Sequence, residues 1–230
     1  EAGRGGAAGG VGDGCEAAGI YEGGSAGLEA ASLSVVDAPA MPEQIALLVP
    51  PRISNLDEFE PLAALQGVQL VAVRDAGMRP TLSPQDWIIL PGSKHTSTDL
   101  AWLRRQGLDV WVKAHAARGG RVLGICGGLQ MLGRAVLDPE AVESPRPEAP
   151  GLGLMDLRST FAAKKTLIRV ERAQTPLGLA SGGYEIHHGV TENGPEALPL
   201  FRRHDASGAD GGICGYVTGR CWATHLHGLF

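Results

Sequence analysis

The stretch that most constrains this chain is RVLGICGGLQMLG, Arg121 to Gly133. A short apolar run ends at one cysteine, two glycines follow, and a helical pattern starts at Leu129. Strand, tight turn with a nucleophile-type residue, then helix is the plan of a nucleophile elbow, with G-x-C-x-G in place of G-x-S-x-G. Such a turn is strained, and flanking glycines let strand and helix pack closely. At a helix N-terminus the positive end of the dipole favours thiolate over thiol. A plainer reading is a buried structural cysteine at a strand end, because free cysteine is among the most buried residue types. On this stretch alone both readings stand.

The chain around the elbow predicts an α/β fold. Ile45 to Val49 is a continuous apolar run closed by Pro50-Pro51, the pattern of a parallel strand buried on both faces. Val68 to Val73 and Asp86 to Leu90 repeat it, the latter stopped by Pro91-Gly92. Helical spacing follows over Asn55–Gln66 (interrupted by Pro61), over Ser97–Gln106 with Ser97 or Thr98 as N-cap, and over Leu108–Ala117 before Gly119-Gly120. Alternating strands and helices predict a flavodoxin-like, mainly parallel sheet with helices on both faces. In such sheets chemistry gathers beyond the carboxyl ends of the strands, where Cys126 and Pro91-Gly92-Ser93 both fall.

Asp138 to Pro150 reads as a surface loop, and beyond it the pattern predicts an added C-terminal antiparallel portion. Its strands are Thr166–Val170, Tyr184–His187, Phe201–His204 and a hairpin around Thr218-Gly219 that leads to Gly228. Residues 1–43 are rich in glycine and alanine, carry neither period, and read as a disordered leader or linker; residues 44–230 form the folded domain. The chain opens on Glu1 and stops at Phe230 directly after a motif-like stretch, which reads as a piece cut at both ends.

A net charge of −5 supplies no electrostatic reason for a nucleic-acid or membrane partner. No apolar run reaches the ~20 residues of a bilayer span and no signal peptide is evident, so the expected compartment is the cytoplasm. Cys15, Cys126, Cys214 and Cys221 form no C-x-x-C pair and no common zinc spacing, which suits a reducing compartment and no metal site.

A thiol of ordinary pKa ~8.5 needs a base or a favourable field to attack at neutral pH. His187 and His188 end one strand, and His225 and His227 end the last. Strand alternation sends His225 and His227 to the same side, so either could face the cysteine.

Five stretches in consistent order carry a resemblance. PRISNLDEFEPL (51–62), LPGSKHTSTDLAWLR (90–104), GICGGLQMLG (124–133) and GYEIHHG (183–189), with THLHGLF at the end, resemble the C-terminal glutamine amidotransferase domain of cobyric acid synthases. The resemblance implies Cys126 as nucleophile and His227, the histidine of L-H-G-L-F, as general base. By the same resemblance, Cys126 is expected to attack the side-chain amide of glutamine, giving a γ-glutamyl thioester and ammonia. The implied oxyanion donors are the backbone N–H of Gly127 and of the Gly92-Ser93 turn. No cofactor is implied for this chain; ATP and Mg²⁺ act at a separate synthetase domain that amidates carboxylates of a corrin, and residues 1–40 are too short and glycine-rich to be that domain.

Two positions depart from the family pattern: His95 stands where Asn is usual and His225 where Tyr is common, which makes His225 an alternative base. Leu229 occupies the place that holds a triad Glu in many related amidotransferases, so the group orienting His227 stays open. Glu185 is one candidate, with a salt-bridged strand residue as its alternative reading. Two other functional readings stand beside the first: another amidotransferase of the same branch, acting in cobyrinic acid a,c-diamide formation or on cell-wall precursors, or a non-catalytic docking module.

Overall fold

The continuous apolar runs become neighbouring strands because each buries both faces. The computed structural model describes residues 43–205 and 207–230, so the leader expected over 1–43 lies outside the described residues except for Glu43. Five strands run parallel: β1 (Glu43–Leu48), β2 (Val68–Val73), β3 (Trp87–Leu90), β4 (Arg121–Ile125) and, far along the chain, Cys221–Thr224. β1 sits between β2 and β3, and β4 lies between β3 and the late strand. This is the flavodoxin-type order 2-1-3-4-5, with the fifth place filled from the far end of the chain.

Helices cover both faces. α1 (Glu60–Ala64) continues a 3-10 turn over Leu56–Phe59, and its Leu62 packs with Phe59 on the Ile45, Leu47 and Val49 side of β1. Pro61 sits in the first turn of α1, where its missing N–H is harmless. The opposite side, with Ala46 and Leu48, receives α2 (Thr96–Arg105), α3 (Leu108–Ala117) and α4 (Gly127–Leu132). Each fully buried Leu or Ile contributes roughly 1.5–3 kcal/mol relative to exposure. The N-cap of α2 is not Ser97 or Thr98: the ring Nδ1 of His95 accepts the Thr98 N–H at 3.3 Å.

The C-terminal half is antiparallel. β5 (Ala135–Leu137) pairs with β6 (Glu148–Pro150) and with the start of β7 (Leu157–Gln174). β7 forms a long ribbon with β8 (Ala180–Asn193); β9 (Leu198–His204) and β10 (Asp210–Thr218) follow, then β11 (Cys221–Thr224), the fifth parallel strand, and β12 (Leu226–His227). The stretch expected as a loop over 138–150 is a loop until β6 begins; Asp138 accepts the N–H groups of Val142, Glu143 and Ser144 and closes it. Among the described residues no helix is long and apolar enough to cross a membrane.

Candidate active site

The elbow is built by close approach. A Cβ on Gly128 would strike the Leu90 carbonyl oxygen, and one on Gly124 would lie 2.7 Å from the Gly128 carbonyl carbon. These two glycines therefore let α4 start directly on the ends of β3 and β4. Cys126, between them, takes φ 52° and ψ −105°, a conformation that costs a non-glycine residue of order 1–3 kcal/mol. It is held there by its N–H, which donates to Thr224 O at 2.7 Å. The thiol is 6% exposed and donates to Ile186 O at 3.4 Å.

His227 arrives on β12, which pairs antiparallel with β8 so that His227 stands opposite Tyr184. The Tyr184 ring stacks on the imidazole, with centroids 5.2 Å apart. Nδ1 of His227 lies 2.9 Å from Oε2 of Glu58, in the 3-10 turn after β1. With Nδ1–H donating to that carboxylate, Nε2 is left free, and Cys126 is close enough to act on the charge of the imidazole. Burial works to lower the pKa of His227, but hydrogen bonds and charge from Cys126 and Glu58 outweigh it and push it up to about 10.

Gly92 makes room for the imidazole: a Cβ there would lie 2.9 Å from His227 Cε1 and would also meet Ser54 Oγ. The next residue, Ser93, meets the start of α4, since a Cβ on Gly127 would fall 2.8 Å from Ser93 N. The backbone bonds flanking Ser93 run from Ser54 N–H to Gly92 O and from Lys94 N–H to Arg52 O, so neither uses the Ser93 N–H. The Gly127 N–H lies in the first turn of α4, where helical amides have no intrahelical acceptor. Ser93 is fixed from below: its Oγ donates to Asp99 Oδ2 at 2.6 Å, and the Arg52 N–H donates to Oδ1 at 3.2 Å.

The fold thus brings Cys126, Gly127, Gly92, Ser93 and His227 to one place, and it separates Glu185 and His225 from them. Strand alternation turns Glu185 away from the face on which Tyr184 stacks against His227; its carboxylate instead meets His187 at 3.4 Å and Arg203 at 3.2 Å. The carboxylate that touches His227 is that of Glu58. His225 and His227 do not share a side, because the chain bends at His225 between β11 and β12. His225 stacks on His187, with ring centroids 3.9 Å apart.

Glu58 was the residue that sequence reasoning passed over. It sits in PRISNLDEFEPL, just past the carboxyl end of the first strand, where the fold gathers chemistry. That position could have nominated the segment, but Asp57, Glu58 and Glu60 were indistinguishable until their directions were known. Among the described residues no group of three or more His, Cys, Asp or Glu side chains is arranged to hold a metal ion.

Comparisons with known proteins bear on the family and the fold. Residues 44–230 match the family described as CobB/CobQ-like glutamine amidotransferase domain. The cobyric acid synthase of Albidiferax ferrireducens is 46% identical over 203 residues, which cover 83% of this chain and 40% of that protein. The cobyric acid synthase of Rhodobacter capsulatus is 46% identical over 190 residues, covering 81% and 37%. The chain therefore spans about 40% of the length of the curated relatives it matches. Among solved structures, a glutamine amidotransferase shares the fold at a TM-score of 0.58 and 17% identity, covering 80% of this chain and 89% of that one. PurLQS from Thermotoga maritima does so at 0.58 and 19%, covering 81% and 88%. The chain belongs to the CobB/CobQ-like glutamine amidotransferase domain family.

Proposed function

We propose that this domain hydrolyses glutamine through a thioester on Cys126 and supplies the ammonia to a separate ATP-dependent synthetase domain. The observation that carries the reading is the line Cys126, His227, Glu58, in which a buried carboxylate orients an imidazole beside a thiol at a strained elbow. Cys126 attacks the amide carbon of glutamine as a thiolate paired with the protonated His227. The N–H groups of Ser93 and Gly127 stabilise the oxyanion, a contribution of about 10²–10³ in rate for each such donor. His227, holding its proton between Cys126 and Glu58, then protonates the leaving amine, and afterwards activates water to release glutamate.

In this reading residues 44–230 are the amidotransferase domain and the preceding residues tether it. The acceptor is a corrin carboxylate activated by ATP and Mg²⁺ on the partner domain, and the reaction belongs to the cytoplasm. The relatives' printed name, cobyric acid synthase, and the excess of their length over this chain support that division of labour.

The test is glutamate release by the purified chain, together with covalent labelling by a glutamine-like electrophile. At neutral pH the label is expected on Cys126 alone of the described thiols. Burial pushes Cys214 up to about 12 and Cys221 up to about 11, leaving both protonated and unreactive. A Cys15→Ser background removes the remaining thiol. Glutaminase activity that survives Cys126→Ser ends the nucleophile assignment.

A further inference from the structure

The peptide that joins Gly92 to Ser93 has its direction set from outside the turn. Its carbonyl oxygen accepts the Ser54 N–H at 2.9 Å, and one residue further on the Lys94 N–H donates to Arg52 O at 2.8 Å. These two bonds flank an antiparallel bridge between Ile53 and Ser93. In a bridge bonded through its flanking residues, the central residue turns its own N–H away from the partner segment. A trans peptide also holds its N–H opposite its C=O, so fixing Gly92 O against Ser54 aims the Ser93 N–H the other way. Ser93 N is the atom that a Cβ on Gly127 would meet, so the amide lies against the start of α4.

Both sides of that bridge end on one carboxylate. Asp99, in the first turn of α2, is 0% exposed. Its Oδ2 accepts the Ser93 hydroxyl at 2.6 Å and its Oδ1 accepts the Arg52 N–H at 3.2 Å. Ser93 Oγ also accepts the His95 N–H at 3.0 Å. A backbone N–H can only donate and an ionised carboxylate can only accept, so the hydroxyl between them has one direction open to it. An acid in a first turn ordinarily serves the N-terminus of its own helix. Here His95 caps α2, and the Asp99 carboxylate bonds to residues that precede the helix. A buried carboxylate is costly to keep charged. Burial pushes the Asp99 carboxyl up, and the bonds from Ser93 and Arg52 pull it back toward the ionised form.

We propose that Asp99 is a positioning residue for the oxyanion hole, its two oxygens clamping Arg52 and Ser93 so that the Gly92–Ser93 peptide keeps its N–H on the charge that develops at the Cys126 adduct. The inference rests on the thioester reading of the site. Asp99 touches no reacting atom and acts through Ser93. A donor aimed at an oxyanion strengthens only as charge appears, so disturbing it lowers turnover and leaves the binding of glutamine nearly unchanged.

The experiment compares the full 230-residue chain with Asp99→Asn, which keeps the shape but leaves one acceptor oxygen for two donors, and with Ser93→Ala, which removes the hydroxyl and keeps the N–H. Three readouts are taken: glutamate release, capture of glutamate γ-semialdehyde as a hemithioacetal on Cys126, and alkylation of Cys126 by iodoacetamide. The first two pass through an oxyanion; the third is a displacement at a saturated carbon and does not. Each variant is expected to lose roughly 10²-fold in turnover and in aldehyde affinity. KM, the alkylation rate and the pH–rate limb governed by His227 should stay within a few-fold or in place, because the Glu58–His227 pair is untouched. The double variant should lose no more than the worse single one, since both act through one bond. Turnover and aldehyde capture near those of the unmodified chain overturn the proposal. So does alkylation that falls in parallel with turnover, which makes Asp99 a support of the fold alone, and so do losses that multiply in the double variant. Should Asp99→Asn fail to fold, Ser93→Ala decides on the same readouts. Absence of both glutamate release and aldehyde capture in the unmodified chain instead removes the thioester reading itself.

Discussion

Oε2 of Glu58 lies 2.9 Å from Nδ1 of His227 across 169 residues of sequence, and the Glu58 side chain is 8% exposed. A carboxylate in that position fixes the tautomer that points Nε2 at the thiol and favours the imidazolium form.

Glu58→Gln removes that charge while keeping the shape. Glutamate release is expected to fall about 10²-fold or more, within the range assigned to positioned acid–base catalysis. Because Glu58 helps hold the His227 pKa up, the same change is expected to move the limb of the pH–rate profile governed by His227 to lower pH. A variant with activity within a few-fold of the unmodified chain and an unshifted profile shows that Glu58 only packs there.

Stability should register the same pair. The folded-state pKa of His227 is raised from 6.5 to about 10, so its contribution is fully present below pH 6.5 and is lost as pH rises to about 10. The melting temperature of the unmodified chain should therefore fall toward that of His227→Gln over this window. A gap that stays constant from pH 6.5 to 10 contradicts the assignment.

Gly92→Ala tests the packing of the imidazole. The added methyl would lie 2.9 Å from His227 Cε1 and would also meet Ser54 Oγ, so one of them must move. Displacement of a catalytic group by about 1 Å can lower the rate roughly 10²-fold. We expect a loss of that order in turnover with the circular dichroism spectrum retained; full activity would mean that Ser54 alone gives way.

Cys126 carries backbone strain that only glycine can relieve. Cys126→Gly and Cys126→Ala should both be inactive, yet the glycine variant should melt higher, reversing the usual preference for alanine. With strain of about 1–3 kcal/mol and a shift of about 2–4 °C per kcal/mol at this size, the difference is measurable by calorimetry. Alanine equal to or above glycine would show that the elbow is unstrained.

Much of the fold was legible because its signals are local. The Val68–Val73 strand and the Leu108–Ala117 helix follow from apolar runs and from the glycines that end them. The His95 cap of α2 was not, because histidine accepts an N–H only in one tautomer and is an uncommon cap beside Ser97 and Thr98. His225 and His227 were expected on one side because alternation assumes an unbroken strand, and the bend between β11 and β12 breaks that assumption.

The sequence by itself determined the elbow: an apolar run, a cysteine and glycines whose missing side chains permit the close contact of Gly128 with Leu90. It also determined the two-faced strands, since apolar pattern acts over a few residues. Only the tertiary structure decided which carboxylate meets His227 and that Glu185 and His225 belong to a separate buried cluster. The physical reason is that β1 and β3, from the start of the domain, hold the 3-10 turn and the Gly92-Ser93 turn, while the antiparallel ribbon returns His227 to them from the far end. A charge–imidazole contact depends on side-chain directions set by that sheet order, which no local period encodes.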